Sequence, residues 1–100
     1  MEIKIHSVHF HADQKLIDFI NDKLSRIEQI FDKIHEAEVF LKLDANSHEV
    51  RDKIAEIKLN LPGKILFCEE RSKVFEESVD EAVSHMLRQV KKYKEKIQGE

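Results

Sequence analysis

Apolar and polar residues alternate in some segments of the chain and follow a helical period in others. In the first segment Ile3 and Ile5 stand between polar neighbours, which is the pattern of a half-buried strand. Asp13 then occupies an N-cap position, and apolar residues recur every three or four positions after it. We therefore predict a strand over residues 2–9 and a helix over about residues 14–33.

The period returns to two from Ala37 onward, where apolar residues alternate with polar ones. This pattern predicts a second strand over residues 37–44. A polar connection at residues 46–49 leads into a second alternating run, which predicts a third strand over residues 55–61.

The pair Pro62-Gly63 stands between two strand-like runs and predicts a tight turn into a fourth strand near residues 64–70. Apolar residues then recur every three or four positions from Phe75 to Ile97, which predicts a long helix. Ser72 is the expected cap of this helix.

The predicted order is strand, helix, three strands, helix. Each strand has one apolar face, so both helices are expected to cover the same side of a four-stranded sheet, with the last three strands forming a meander. The expected fold is a two-layer α+β domain of the order β-α-β-β-β-α. A chain of 100 residues has room for one such domain, spanning residues 1–100.

The overall charge argues against a globally basic nucleic-acid binder, because 17 Lys and Arg residues stand against 20 Asp and Glu residues, a net charge of -3. The sequence contains no apolar run long enough for a membrane span and no signal-peptide pattern, so we expect a cytosolic protein with no membrane contact. Two glycines and one proline exclude glycine-rich phosphate-binding loops.

The charges are unevenly distributed along the last predicted helix. Residues 75–87 carry four acids and no Lys or Arg, whereas residues 88–97 carry five basic residues and one acid. A helical wheel places most of these cations on the side opposite the apolar stripe or at the edge of that opposite side. They are Arg88, Lys91, Lys92 and Lys96.

On the first predicted helix, Lys15, Arg26 and Lys33 fall on one stripe and Lys23 flanks them. Two interpretations remain open for both sets of cations. Basic residues near helix C-termini are favoured by the macrodipole and are often no more than a solvated face. Closely spaced like charges also repel one another, and a polyanion such as a phosphate backbone would relieve that repulsion.

Other candidate sites are weaker. His6, His9 and His11 do not converge as metal ligands must, and no carboxylate cluster completes a site. Cys68 lies in an apolar strand and lacks a partner base, so we do not expect it to act as a nucleophile. Taken together, these patterns lead us to expect no catalytic activity, bound metal, cofactor or small-molecule substrate. Phe40 stands on the polar face of its strand, where it could stack on a base or pack against a partner.

The sequence resembles the ribosome hibernation-promoting factors, also called ribosome-associated inhibitor or protein Y. The resemblance is closest in residues 23–34, which read KLSRIEQIFDKI, and in residues 37–42, which read AEVFLK. It continues at Val79-Asp80 and at residues 88–96, RQVKKYKEK. The order of elements also agrees over essentially the whole chain.

The resemblance implies a fold similar to a double-stranded-RNA-binding domain with an extra first strand. It also implies a cytoplasmic, ribosome-associated factor that lies in the mRNA and tRNA channel of the small ribosomal subunit, inhibits translation and preserves idle ribosomes. In that family helix-borne cations contact the 16S ribosomal RNA. Carried over position by position, these are Lys23, Arg26, Lys33, Arg88, Lys92, Lys94 and Lys96. With Lys91 from the helical wheel, the predicted RNA contacts number eight.

Long members of the family continue into a second domain that pairs ribosomes, whereas this chain resembles the short form. Any pairing of ribosomes would then need a separate ribosome modulation factor. Two alternatives to the hibernation role remain: a general binder of double-stranded RNA, and a protein-interaction module whose cations are only solvated.

Overall fold

The computed structural model describes residues 1–44 and 52–99. The predicted order of elements is confirmed. The structure contains β1 (Glu2–Ser7), α1 (Gln14–Ile30), β2 (Glu36–Leu43), β3 (Lys53–Leu61), β4 (Lys64–Ser72) and α2 (Phe75–Gln98). The polar connection expected at residues 46–49 lies outside the described residues.

The four strands form one sheet in the order β1-β2-β3-β4. β1 runs parallel to β2, and this pairing needs a long crossover, which α1 supplies. β2, β3 and β4 pair in antiparallel fashion and form the expected meander. At the predicted Pro62-Gly63 turn, Gly63 has a φ of 73°, a conformation that a glycine adopts without steric cost.

One face of the sheet is buried beneath both helices, as the apolar alternation predicts. Across this face the register aligns Ile5, Val39, Ile57 and Cys68. α2 packs on β3 and β4, and α1 packs beside α2. The residues with no exposed surface come from both layers, which identifies the space between them as the core. These include Ile20, Leu24, Ile27, Val39, Leu41, Ile57, Leu59, Val79, Met86 and Val90.

Two element ends differ from the sequence prediction. β1 ends at Ser7 rather than at residue 9, because His9 adopts a φ of 65° that no strand residue can have. α1 ends at Ile30 rather than at residue 33, because Phe31 turns to an extended backbone with φ -147° and ψ 107°. The ring of Phe31 is buried and meets the ring of Tyr93 edge to face at 5.7 Å.

The predicted cap of the second helix is wrong. Val74 is the N-cap residue of α2, and it makes no side-chain capping bond. Ser72 is instead the last residue of β4, and its hydroxyl donates to the carbonyl oxygen of Val74 at 2.6 Å. Ser78, which is fully buried, donates to the carbonyl oxygen of Lys53 at 2.6 Å and so links the first turn of α2 to β3.

The other face of the sheet carries no helix and is less polar than strict alternation predicts. On β4 the side chains of Ile65 and Phe67 are 61% and 53% exposed. Phe40 is half-buried and its ring stacks on that of His6 at 4.8 Å, while Nε2 of His6 lies 2.8 Å from a carboxylate oxygen of Glu38. Phe40 therefore already has a stacking partner within the chain.

The Asp13→Ala variant tests the N-cap of α1. The side chain of Asp13 accepts a hydrogen bond from the backbone N–H of Leu16 at 2.9 Å. Loss of this acceptor is expected to lower the free energy of unfolding by about 1 kcal/mol, measured by urea denaturation. The matched variant Asp18→Ala removes only a surface hydrogen bond from Gln14 and should cost less than about 0.5 kcal/mol. Equal losses in the two variants would contradict the assignment.

Labelling with an aromatic disulfide reagent tests the environment of Cys68. Burial, reinforced by the charge of Glu70, raises the pKa of the Cys68 thiol to about 11. The thiol also donates to the carbonyl oxygen of Ala82 at 3.3 Å. At pH 8 it should remain protonated and react at least tenfold more slowly in the folded protein than in urea. Stability should fall as pH rises from about 9 to 11, because the unfolded thiol ionises first.

Candidate nucleic-acid interface

The two helices run in the same direction, so their C-terminal ends lie at the same end of the domain. Nζ of Lys23 lies 2.7 Å from a carboxylate oxygen of Asp80, and Nζ of Lys94 donates to the carbonyl oxygen of Ile30 at 3.0 Å. These contacts occur in the same order along both helices. The cationic half of α2 therefore lies beside the C-terminal end of α1.

The turn between β3 and β4 lies at this same end. The hydroxyl of Tyr93 donates to the carbonyl oxygen of Pro62 at 2.7 Å and fixes the turn against α2. The apolar stripe of α2 faces the core, so most of its predicted cations point outward, namely Arg88, Lys91, Lys92 and Lys96. This end of the domain, defined by α2 from Arg88 onward, the end of α1 and the Pro62-Gly63 turn, is called the basic end below.

Lys23 does not present a free charge. Its side chain is only 15% exposed, its ammonium group pairs with Asp80, and the same group lies 5.3 Å from the centre of the Phe19 ring. A phosphate that contacts this ammonium group would compete with the Asp80 carboxylate. The structure therefore gives Lys23 a role between the two helices.

Lys94, which the helical wheel does not place among the outward cations, is also engaged within the protein. It is half-buried, and its ammonium group holds the carbonyl oxygen of Ile30, the last residue of α1. Carbonyl groups at a helix C-terminus lack partners within the helix and attract cations. Lys94 thus stabilises the end of α1 from the neighbouring helix.

Arg26 and Lys33 remain accessible at the end of α1. The side chain of Arg26 is 54% exposed and pairs only loosely with Asp22, at 3.8 Å along the same helix. Such surface pairs contribute little to stability. Lys33 is exposed and lies in the turn that follows α1 rather than in the helix as predicted.

The remaining predicted cations form an exposed row on α2. Among the described residues none of the four has an ion pair or a side-chain hydrogen bond. They are Arg88, Lys91, Lys92 and Lys96. The basic end therefore holds closely spaced cations without neutralising partners, an arrangement that attracts polyanions.

Lys64 joins this row although the sequence analysis did not select it. Together with Leu66, Gln89, Lys92, Tyr93 and Lys96 it lines a pocket of about 220 Å³ between β4 and α2. Lys64 shares the helix-facing side of β4 with Leu66, and α2 runs antiparallel to β4. The alternation along β4 places Lys64 on the same face as Leu66, but only the tertiary packing brings this strand lysine beside the lysines of α2.

The acids of α2 before Arg88 lie about two to three turns away, at residues 76–81. Arg88 lines a second pocket, of about 310 Å³, with Glu70, Asp80, Glu81, Ser84 and His85. The imidazole of His85 is in contact with the carboxylate of Glu70. Arg88 therefore marks the boundary between the acidic and the basic half of α2.

Neither a metal site nor a membrane span is found among residues 1–44 and 52–99. No three His, Cys, Asp or Glu side chains in these ranges are grouped in a way that could hold a metal ion. Neither described helix is long and apolar enough to cross a bilayer.

Stability measurements on two lysine variants test the division between engaged and free cations. Lys94→Met removes the partner of the Ile30 carbonyl and should lower the free energy of unfolding by about 1 kcal/mol. Lys92→Met, two residues earlier, removes an exposed and unpaired charge and should change it by less than about 0.5 kcal/mol. The reverse ranking in urea denaturation would contradict the assignment.

Known relatives align with three quarters or more of the chain. The ribosome hibernation promoting factor of Pseudomonas putida (strain KT2440) is 31% identical over 99 residues, which span 99% of this chain and 92% of that protein. The ribosome hibernation promotion factor of Deinococcus radiodurans is 33% identical over 78 residues, which span 77% of this chain and 40% of that protein.

Solved structures share the fold. The N-terminal domain of Thermus thermophilus Protein Y superposes with a TM-score of 0.79 at 27% identity, covering 93% of this chain and 99% of that one. A ribosomal subunit interface protein from Coxiella burnetii gives a TM-score of 0.82 at 22% identity, covering 94% and 98% of the two chains. The family model described as Sigma 54 modulation protein / S30EA ribosomal protein matches residues 3–98. The chain therefore belongs to the Sigma 54 modulation protein / S30EA ribosomal protein family.

Proposed function

We propose that this protein is a ribosome hibernation factor that binds the small ribosomal subunit through the basic end of the domain. The observation that carries the proposal is the row of exposed, unpaired cations on α2. The names of the relatives in Pseudomonas putida and Deinococcus radiodurans support a hibernation role. The binding surface on this chain is inferred from its own charges.

The ligand of the basic end is proposed to be the phosphate backbone of 16S ribosomal RNA. Phosphate groups carry the closely spaced negative charges that a row of lysines matches, and their neutralisation releases condensed counterions. Of the eight predicted contact residues, Lys23 and Lys94 already have protein partners. The proposed RNA contacts therefore come from Arg26, Lys33, Arg88, Lys91, Lys92 and Lys96.

The proposed effect on translation is steric. The domain measures 51 × 23 × 19 Å along its principal axes, and α2 alone extends over about 36 Å. A rigid body of this size, held in the mRNA and tRNA channel of the small subunit, would exclude both RNAs while it is bound. No catalytic step is needed, and the bound protein would be found in the cytoplasm on idle ribosomes.

The acids in the first half of α2 favour the ribosomal channel as the ligand and disfavour double-stranded RNA in general. Acids beside Arg88 repel phosphates that approach from that side, so a long duplex lying across the helices would meet both signs of charge. A channel wall that contacts only the basic end would not meet these acids. We therefore favour the ribosomal channel over a general binder of double-stranded RNA.

Cosedimentation with small subunits across a salt series tests the electrostatic part of the proposal. Six phosphate contacts give an expected slope of log affinity against log salt of about -4 to -5. The triple variant Arg88→Glu, Lys92→Glu, Lys96→Glu should lose binding while retaining its folded circular dichroism spectrum. Lys58→Gln, on the helix-free face of the sheet, is the matched control and should leave the slope unchanged.

Two outcomes of this experiment would contradict the proposal. Binding that persists at high salt, or in the triple variant, would favour a protein-interaction module whose cations are only solvated. If an excess of plain RNA duplex competes as well as free small subunits do, the protein is a general duplex binder. Inhibition of translation in a purified system should disappear together with binding.

A further inference from the structure

The pocket between β4 and α2 combines an apolar interior with a cationic rim. Leu66, which is 6% exposed, and the ring of Tyr93 form its inner surface. The three lysines at its edge are exposed: Lys64, Lys92 and Lys96. Gln89 also lines the pocket, and its side-chain amide can both donate and accept hydrogen bonds.

The walls of the pocket are fixed by contacts outside it. The hydroxyl of Tyr93 donates to the carbonyl oxygen of Pro62, and the Tyr93 ring packs edge to face with the ring of Phe31, with their centroids 5.7 Å apart. Leu66 is held in the sheet opposite Leu59. A ligand would therefore enter a pocket that already exists, with little ordering cost.

The rim lacks a negative partner among the described residues. No ion pair or side-chain hydrogen bond within the described residues involves the three lysines of the rim, Lys64, Lys92 and Lys96. Three cations around one opening repel one another, and an anion at the rim removes that repulsion. The rim alone would suit a free phosphate, but a phosphate leaves the apolar interior unused.

The size of the pocket limits the apolar part of the ligand. A volume of about 220 Å³ lies below the roughly 300–1,000 Å³ typical of pockets for drug-sized molecules. A pocket of this volume suits one planar ring system. Nucleobases stack on aromatic side chains and hydrogen-bond through their edges, and each carries a phosphate on its sugar.

We propose that this pocket receives one unstacked nucleotide, with its base against Leu66 and Tyr93 and its phosphate among the three lysines of the rim. Gln89 hydrogen-bonds the edge of the base. The inference rests on the proposed function, since the nucleotide is assigned to the RNA that the basic end contacts. A free nucleoside 5′-monophosphate has the same chemistry, and the two sources are separated below.

The first experiment titrates the ¹⁵N-labelled protein with AMP, CMP, GMP and UMP and, separately, with inorganic phosphate. At least one nucleotide should shift the amide resonances of Leu66, Gln89 and Tyr93. It should bind about fivefold to 140-fold more tightly than phosphate, the range that one stacked base contributes. Equal affinity for phosphate, or no shifts at these residues, would overturn the proposal.

The second experiment measures affinity for small subunits across a salt series in two pocket variants. Gln89→Leu keeps the charge and should weaken binding about two- to tenfold without changing the salt slope. Lys64→Gln should reduce the slope by about 0.7 to 0.9. Lys58→Gln is the charge-matched control and should do neither. Unchanged melting temperatures establish that the variants fold.

The outcomes separate this inference from the proposed function. If the unsubstituted protein does not bind small subunits, the proposed function fails, and the assignment of the nucleotide to RNA fails with it. If it binds them and both pocket variants bind equally well, the proposed function stands and the pocket does not hold an RNA nucleotide. In that case a positive titration with mononucleotides would assign the pocket to a free nucleotide instead.

Discussion

The burial of one stripe of α2 against the sheet is the constraint on which the rest of the structure depends. Val79, Met86 and Val90 have no exposed surface, and they fix the rotation of the helix about its own axis. Because a helix is rigid, this rotation determines where every other side chain of α2 points, including the cations after Arg88. The hydrophobic core therefore orients the charged surface, and the basic end needs no binding partner to assemble it.

The net charge of -3 by itself gives little indication of how the charges are distributed over the surface. Four of the five acids of α2 lie in its first half. Glu76 and Glu77 stand in the first turn, where the macrodipole favours them, and Asp80 bridges to Lys23 on the neighbouring helix. The cations lie in the second half, and Lys96 stands in the last turn, where the macrodipole favours a positive charge. Charge separation along α2 thus lowers the energy of the helix and at the same time gives the domain one end suited to anions and one end that repels them.

Neighbouring lysines of one sequence motif have different physical roles. Lys92 is exposed and unpaired, while Lys94, two positions later, caps the last carbonyl of α1. Two positions along a helix correspond to a rotation of about 200°, so the two side chains leave the helix on nearly opposite sides. A motif rich in lysine therefore contains both binding and structural residues, and the helical period indicates which is which only when the neighbouring element is known.

The sequence determined the order of the elements, the turn at Pro62-Gly63, the cap at Asp13 and the outward direction of the α2 cations, because each follows from local periodicity or local hydrogen bonding. It placed the end of α1 three residues too late and assigned the cap of α2 to Ser72, since packing of Phe31 and the extension of β4 outweighed local preference. Only the tertiary structure decided which cations are free and that Lys64 lies beside α2. The partners involved are separated in sequence by tens of residues, and no local pattern brings them together.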